Sequence, residues 1–303
     1  MDQPSVRLAV IGAPRVEGPA SEGLALLRRA ATRPAVAAAE VVVVPGDLSA
    51  QGAGAQLQAA ARALRPLRAR LVALPGRADV PSLQPGDATA WARDFGGDLA
   101  WPRRVELADG AAVLFAIDTA RLDGGHDAVG PKQLAALEHL LADLDPGVRR
   151  VVALHHPPTQ PPWLRMPGRE PAPTLADVAD LADLLRAHSV DLVLHGRAPH
   201  LTRAKLGTVV VLGAPPLGGD AVTGQRFVLD VALGLTDGAV TVARTQVAAP
   251  ADRADLQAVF AQTEAIEAWV RLAERAYEAE DTFAAFAAAF AERDARLTRI
   301  DAA

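Results

Sequence analysis

Cysteine is absent from the 303 residues, which excludes disulfides, thiolate metal sites and a cysteine nucleophile. Lysine occurs only as Lys132 and Lys205, so nearly all of the positive charge is arginine. A basic excess is also lacking. The formal net charge is -5, which argues against a sequence-independent nucleic-acid surface while still admitting a local basic pocket. No apolar run approaches the ~20 residues that span a bilayer, and no membrane partner is expected. The stretch Val6–Ile11 is too short for a signal peptide and has no basic segment before it, so a cytoplasmic protein is expected. What the chain does have is apolar side chains, 50% of the total, enough for one large α/β domain or two small ones.

Short β-branched runs alternate with longer helical patterns through about residue 245. The runs are 7–11, 40–44, 70–74, 112–117, 150–154, 191–194 and 208–212, and each ends in a turn cluster. Continuous apolar strands of this kind are buried on both faces. Helices are predicted between them at 21–33, 53–68, 130–144 and 175–188. This alternation predicts a largely parallel or mixed sheet region with helices outside. Two later runs, 226–232 and 239–247, flank Leu235-Thr236-Asp237-Gly238 and predict a β-hairpin.

Beyond residue 251 the pattern changes. Proline and glycine are missing from 252–301, and Leu256, Val259, Phe260, Ile266, Trp269, Val270, Phe283, Phe286 and Phe290 recur at helical spacing. The predicted organisation is a main domain over 1–250 and an amphipathic helical extension over 251–303. The extension is expected either to pack on its own domain or to serve a protein partner or self-association.

In open α/β folds ligands bind beyond the carboxyl ends of the strands. Those ends carry Arg15, Asp47, Arg77, Asp79, His155, His156, His195 and Arg197. Val44-Pro45-Gly46-Asp47-Leu48, Val152-Ala153-Leu154-His155-His156-Pro157-Pro158 and the helix-opening Gly130-Pro131-Lys132-Gln133-Leu134 occur in an order that resembles the calcineurin-like metallophosphoesterases, in particular their bacterial cyclic-nucleotide phosphodiesterase branch. The resemblance covers about 5–245 and implies a four-layer α/β/β/α sandwich. It also implies a phosphoester hydrolase site with two metal ions bridged by the Gly-Asp carboxylate.

The departures from that pattern are as telling. Where the family has Asp-x-His this chain has Ala13-Pro14-Arg15. Gly76-Arg77-Ala78-Asp79 stands for Gly-Asn-His-Asp, so Arg77 replaces a ligand and Ala78 the general acid. His195-Gly196-Arg197-Ala198-Pro199-His200 stands for the late Gly-His-x-His, with Arg197 and Pro199 in the ligand positions and His200 one residue late. Of the implied ligands Asp47 and His155 remain, and two ligands do not hold a hard divalent ion. The resemblance therefore implies a catalytically inactive relative, a pseudoenzyme with no cofactor. The alternative is an active phosphoesterase with one weakly bound Mn, Fe or Zn ion on Asp47, His155 and His200, helped by His156 or His195.

Arginine stays protonated and offers only donors. Arg15, Arg77 and Arg197 are expected to converge where the metals would be. Two readings stay open: they neutralise a disused pocket around Asp47 and Asp79, or they bind a phosphate or nucleotide anion. Trp163 is a candidate pocket cap or plain loop packing. Asp118-Thr119 is expected to support the fold, His126 and His139 to lie on the surface, and Asp177, Asp180 and Asp183 to form a solvated helix face.

Overall fold

The structure, a computed structural model, describes residues 3–80, 87–95, 101–120, 127–159, 175–220 and 223–249, with the backbone alone for 87–90. The chain divides into two units. The first is formed by Met1–Thr159, Pro173–Ala221 and Gln225–Pro250 and holds every element named below. The second comprises Gln160–Ala172, Val222–Gly224 and Ala251–Ala303. The predicted helical extension over 251–303, Trp163 and His126 lie outside the described residues.

The first half of the chain builds β1 (Ser5–Val10), α1 (Glu22–Ala31), α2 (Pro34–Ala38), β2 (Val41–Val44), α3 (Gly54–Leu64), β3 (Leu71–Ala73), α4 (Asp87–Phe95), β4 (Arg103–Leu107) and β5 (Ala112–Ala116). The second half adds α5 (Pro131–Ala142), β6 (Arg149–Leu154), α6 (Val178–Ala187), β7 (Leu192–His195), β8 (Thr202–Leu206), β9 (Val209–Gly213), β10 (Arg226–Gly234) and β11 (Val240–Ala248). One sheet has the order β11-β10-β1-β2-β3 and the other β4-β5-β6-β7-β9-β8. Both are mixed. β1, β2 and β3 run parallel, as do β5, β6, β7 and β9, while β10, β11, β4 and β8 are antiparallel additions.

Side-chain alternation along the strands sets the layers. In β2, Val41 and Val43 join Leu8 and Val10 in a core between the sheets, facing Leu114, Val151, Ala153 and Leu194 of the second sheet. Val42 and Val44 point the other way, onto Leu24, Leu27, Leu57 and Leu64 of α1 and α3. The second sheet repeats this. Val152 and Leu154 turn outward to Leu137 and Leu141 of α5 and Leu181 and Leu185 of α6. Helices, sheet, sheet, helices is the four-layer sandwich that the resemblance implies.

Differences from the sequence reading have local causes. The helix predicted over 21–33 is capped by Ser21, whose Oγ accepts from the Leu24 N–H at 3.4 Å, and stops at Ala31 because Pro34 opens a second short helix. β4 and β8 were not predicted. They are edge strands with sequences Arg-Arg-Val-Glu-Leu and Thr-Arg-Ala-Lys-Leu, whose polar side chains suit an edge and mask the strand signal. The predicted hairpin is present as β10 and β11, with Gly238 at φ +69 in its turn.

Candidate functional site

The carboxyl ends of both sheets meet at β2 and β6. Two glycines permit this. Gly46 has φ +90, and a Cβ there would stand 2.4 Å from His155 Nδ1. A Cβ on Gly76 would stand 2.1 Å from the Asp47 amide nitrogen and 2.4 Å from Asp47 Oδ1. The strand-end loops therefore approach at backbone distance, and the glycines of Pro-Gly-Asp and Pro-Gly-Arg are steric requirements. Three non-glycine residues of this rim, Arg15, Asp47 and Arg197, adopt φ of 47, 55 and 50.

Two histidine–aspartate pairs lie side by side. His155 and His156 are edge to face with ring centroids 4.8 Å apart, yet they address different carboxylates. His155 Nδ1 lies 2.8 Å from the Pro45 carbonyl oxygen and donates to it, so Nε2 carries the bare lone pair. Nε2 faces Asp47 Oδ1 at 3.6 Å and has no hydrogen-bond partner. Burial pushes this imidazole down to about 4, against the pull of Asp47, so it is neutral. Asp47 Oδ1 accepts the Ala78 N–H at 2.9 Å.

His156 is held from the other side. Its backbone N–H donates to Thr119 Oγ1 at 3.2 Å, and its Nδ1 lies 3.0 Å from the same hydroxyl; we assign the Thr119 O–H as donor to Nδ1, which leaves the ring proton on Nε2. Nε2, buried and without a hydrogen bond, faces Asp127 Oδ2 at 3.5 Å. Asp118 and Thr119 thus do support the site. The Asp118 N–H and carbonyl pair with the Gln133 side-chain amide, which locks the start of α5 against the end of β5.

The arginines do not settle around Asp47. Arg77 NH1 lies 3.7 Å and Arg197 NH1 3.8 Å from Asp127 Oδ2. The expected bidentate pairing with Asp47 is absent because one Asp47 oxygen is taken by the Ala78 amide and Asp127 enters from the segment before α5. His156, then Arg77 and Arg197, hold the Asp127 carboxyl below the usual range against the opposing effect of burial. Arg15 is exposed and makes no ion pair among the described residues, so two of the three expected arginines come together.

Asp79 is also not a partner of the arginines. It is fully buried, and its Oδ1 accepts the Ser49 N–H and hydroxyl, both at 2.8 Å. Its Oδ2 accepts the Gly76 N–H at 2.8 Å and the Leu48 N–H at 3.1 Å. It clamps the β2 end to the β3 end. Asp177, expected to be solvated, instead accepts the Val129 and Gly130 N–H groups at 3.0 and 2.7 Å. His139 is exposed as expected. His195 is buried, its Nδ1 donates to the Gly196 carbonyl oxygen at 2.6 Å, and burial pushes it down to about 4.

The sequence reading missed Asp127. Its only cue is a carboxylate shortly before the Gly130-Pro131 helix start, with no periodicity or motif to single it out.

Positions that the resemblance gives to metal ligands hold Ala13, Arg15, Arg77, Arg197 and Pro199, and guanidinium nitrogens cannot ligate. Among the described residues no group of three or more His, Asp or Glu side chains is placed to hold a metal.

No family model and no curated protein matches the chain. Solved structures do. A dimetal phosphatase from Danio rerio superposes with a TM-score of 0.60 at 12% identity, over 81% of this chain and 97% of that one. The purple acid phosphatase PPD1 from yellow lupin (Lupinus luteus) seeds superposes with a TM-score of 0.55 at 11% identity, over 82% of this chain and 52% of that one. Among the described residues no helix is long and apolar enough to cross a membrane. At such identities the likeness is one of architecture, and with the two mixed sheets between helices it shows that the chain has the calcineurin-like metallophosphoesterase fold.

Proposed function

We propose that this chain is a pseudoenzyme, a phosphoesterase-fold protein that binds an oxoanion at its strand-end rim without hydrolysing it. The observation that carries the reading is the donor set. Arg197 NH1 and His156 Nε2 are buried and lack hydrogen bonds, and both lie beside the exposed Arg77 guanidinium. Buried donors without acceptors cost about 1–3 kcal/mol each. An incoming phosphate would satisfy them with charge-assisted bonds. Ala78 stands where the resemblance gives the general acid, and alanine transfers no proton. The apolar stripe of 252–303 is proposed as a surface for a protein partner or for self-association.

Phosphate or a nucleotide at a hundredfold excess over its Kd is expected to add about 2.7 kcal/mol of stability, roughly 5–10 °C for a domain of this size. The Arg197→Gln variant is expected to lose this gain. A melting curve unchanged across phosphate, AMP and ATP removes the reading.

One observation favours a second reading. The bare His155 Nε2, buried and 3.6 Å from a carboxylate oxygen, is a pair of acceptors that a cation would join. If a single Mn, Fe or Zn ion binds there weakly, Asp47, His155 and His200 would hold it, and the metal would act as Lewis acid on a phosphoester. Metal-dependent turnover of an activated phosphodiester, lost in Asp47→Ala, would establish that reading. Less than about a tenth of an equivalent of metal by elemental mass spectrometry, after Mn²⁺ incubation and desalting, would remove it for a centre of this class.

A further inference from the structure

Three nitrogen donors from three segments address one oxygen. His156 Nε2, Arg77 NH1 and Arg197 NH1 stand 3.5, 3.7 and 3.8 Å from Asp127 Oδ2. None of these is a hydrogen bond, which needs about 2.7–3.2 Å. Among the described residues the His156 Nε2 and Arg197 NH1 atoms have no hydrogen-bond partner, and His156 is fully closed off from solvent. Donors uniformly too far from a shared oxygen outline a seat larger than that oxygen. Arg77 and Arg197 supply two positive charges here, against the carboxylates of Asp127 and, within reach of Arg197, Asp47.

We infer that Asp127 is a tethered stand-in for the ligand: its carboxylate loosely fills the seat of a tetrahedral phosphate group, formed by Arg77, Arg197 and His156, and the ligand binds by displacing it. The inference rests on the anion-binding reading above and adds the seat, its gatekeeper and the ligand class. The backbone at Asp127 is fixed. Its carbonyl accepts the Ala176 N–H at 3.0 Å, and the next amides at Val129 and Gly130 donate to Asp177. Displacement is therefore a rotation of one short side chain and leaves the segment in place. A phosphate presents oxygens in several directions, so it can accept from all three donors at about 2.8 Å. The tethered carboxylate competes for the same donors and lowers the apparent affinity by the fraction of time it leaves the seat free. Singly charged anions gain too little to evict it; a phosphate dianion gains more.

The test is calorimetric titration of the full chain with inorganic phosphate, and in a second arm with phenyl phosphate, at low salt and pH 8. The variants are Asp127→Asn, which keeps the shape and removes the charge, Asp127→Ala, and Arg197→Gln. Both Asp127 variants are expected to bind phosphate at least ~10-fold tighter than the parent chain, in the range found for close charge pairs, and Arg197→Gln to bind weakly or not at all. Binding by the Asp127 variants alone also supports the inference, since the seat is then held shut in the parent. The preference between the two probes tells a free ion from a phosphate monoester. If the parent binds phosphate and neither Asp127 variant binds it more tightly, the stand-in role is overturned while anion binding survives. If no chain binds either probe, both fall.

Discussion

Replacing Asp79 with alanine lowers the unfolding free energy by roughly 3–5 kcal/mol at neutral pH. The carboxylate accepts three backbone N–H groups, from Leu48, Ser49 and Gly76, and the Ser49 hydroxyl, with no exposed surface of its own. Alanine leaves three amides buried without acceptors, each at a cost of about 1–3 kcal/mol less whatever water enters the space. The Ser49 hydroxyl, which also accepts the Gly52 N–H at 2.9 Å, loses its orientation as well. The damage reaches the rim, because Asp79 ties the loop carrying Asp47 to the loop carrying Arg77. Phosphate binding is expected to weaken along with stability. Asp79→Asn is expected to fall between the two, since its NH₂ group turns toward donors that an oxygen formerly satisfied. Urea unfolding monitored by circular dichroism measures the effect, and a loss below about 1 kcal/mol would show that the two loops are held by their backbone contacts alone.

Asp79 also illustrates what the sequence discloses. Its position after Gly76-Arg77-Ala78 marked a strand end and a possible partner of the arginines. Nothing local distinguishes a carboxylate that caps amides from one that meets guanidiniums. Gly46-Asp47 and His155-His156 were legible because strand-end motifs carry fixed spacing, and steric need explains the glycines. The layers were legible because Val41–Val44 and Val151–Leu154 are apolar at every position, which requires cover on both faces. Arg77 and Arg197 were expected around Asp47, and the structure places both beside Asp127 instead. Their shared partner Asp127 was not foreseen, because its role is created by tertiary approach: three segments far apart in the chain bring their donors to it. Arg15 occupies the expected strand end, but it faces solvent.

Acidification from pH 7 to pH 4 is expected to destabilise the fold by on the order of 3 kcal/mol net, and the sign follows from three buried groups. His155 and His195 are both held near 4, chiefly by burial, instead of near 6.5. As pH falls through 6.5 the unfolded chain takes up these protons and the folded chain does not, so stability drops until about pH 4. Each imidazole represents on the order of 3 kcal/mol. Asp79 acts in the opposite direction. Burial, outweighing its hydrogen bonds to Ser49 and Gly76, raises it from 3.8 to about 6, so the folded state binds its proton first and regains about as much as one histidine loses. Asp127, held low, adds to the loss from the acid end of this window downward. Removing one histidine should therefore cancel most of the pH dependence: in His195→Gln the remaining His155 and Asp79 contributions oppose each other. Urea midpoints at half-unit pH steps test this. A parent chain that gains stability toward pH 4, or a His195→Gln variant with an unchanged slope, would show that these groups are not held as the structure places them.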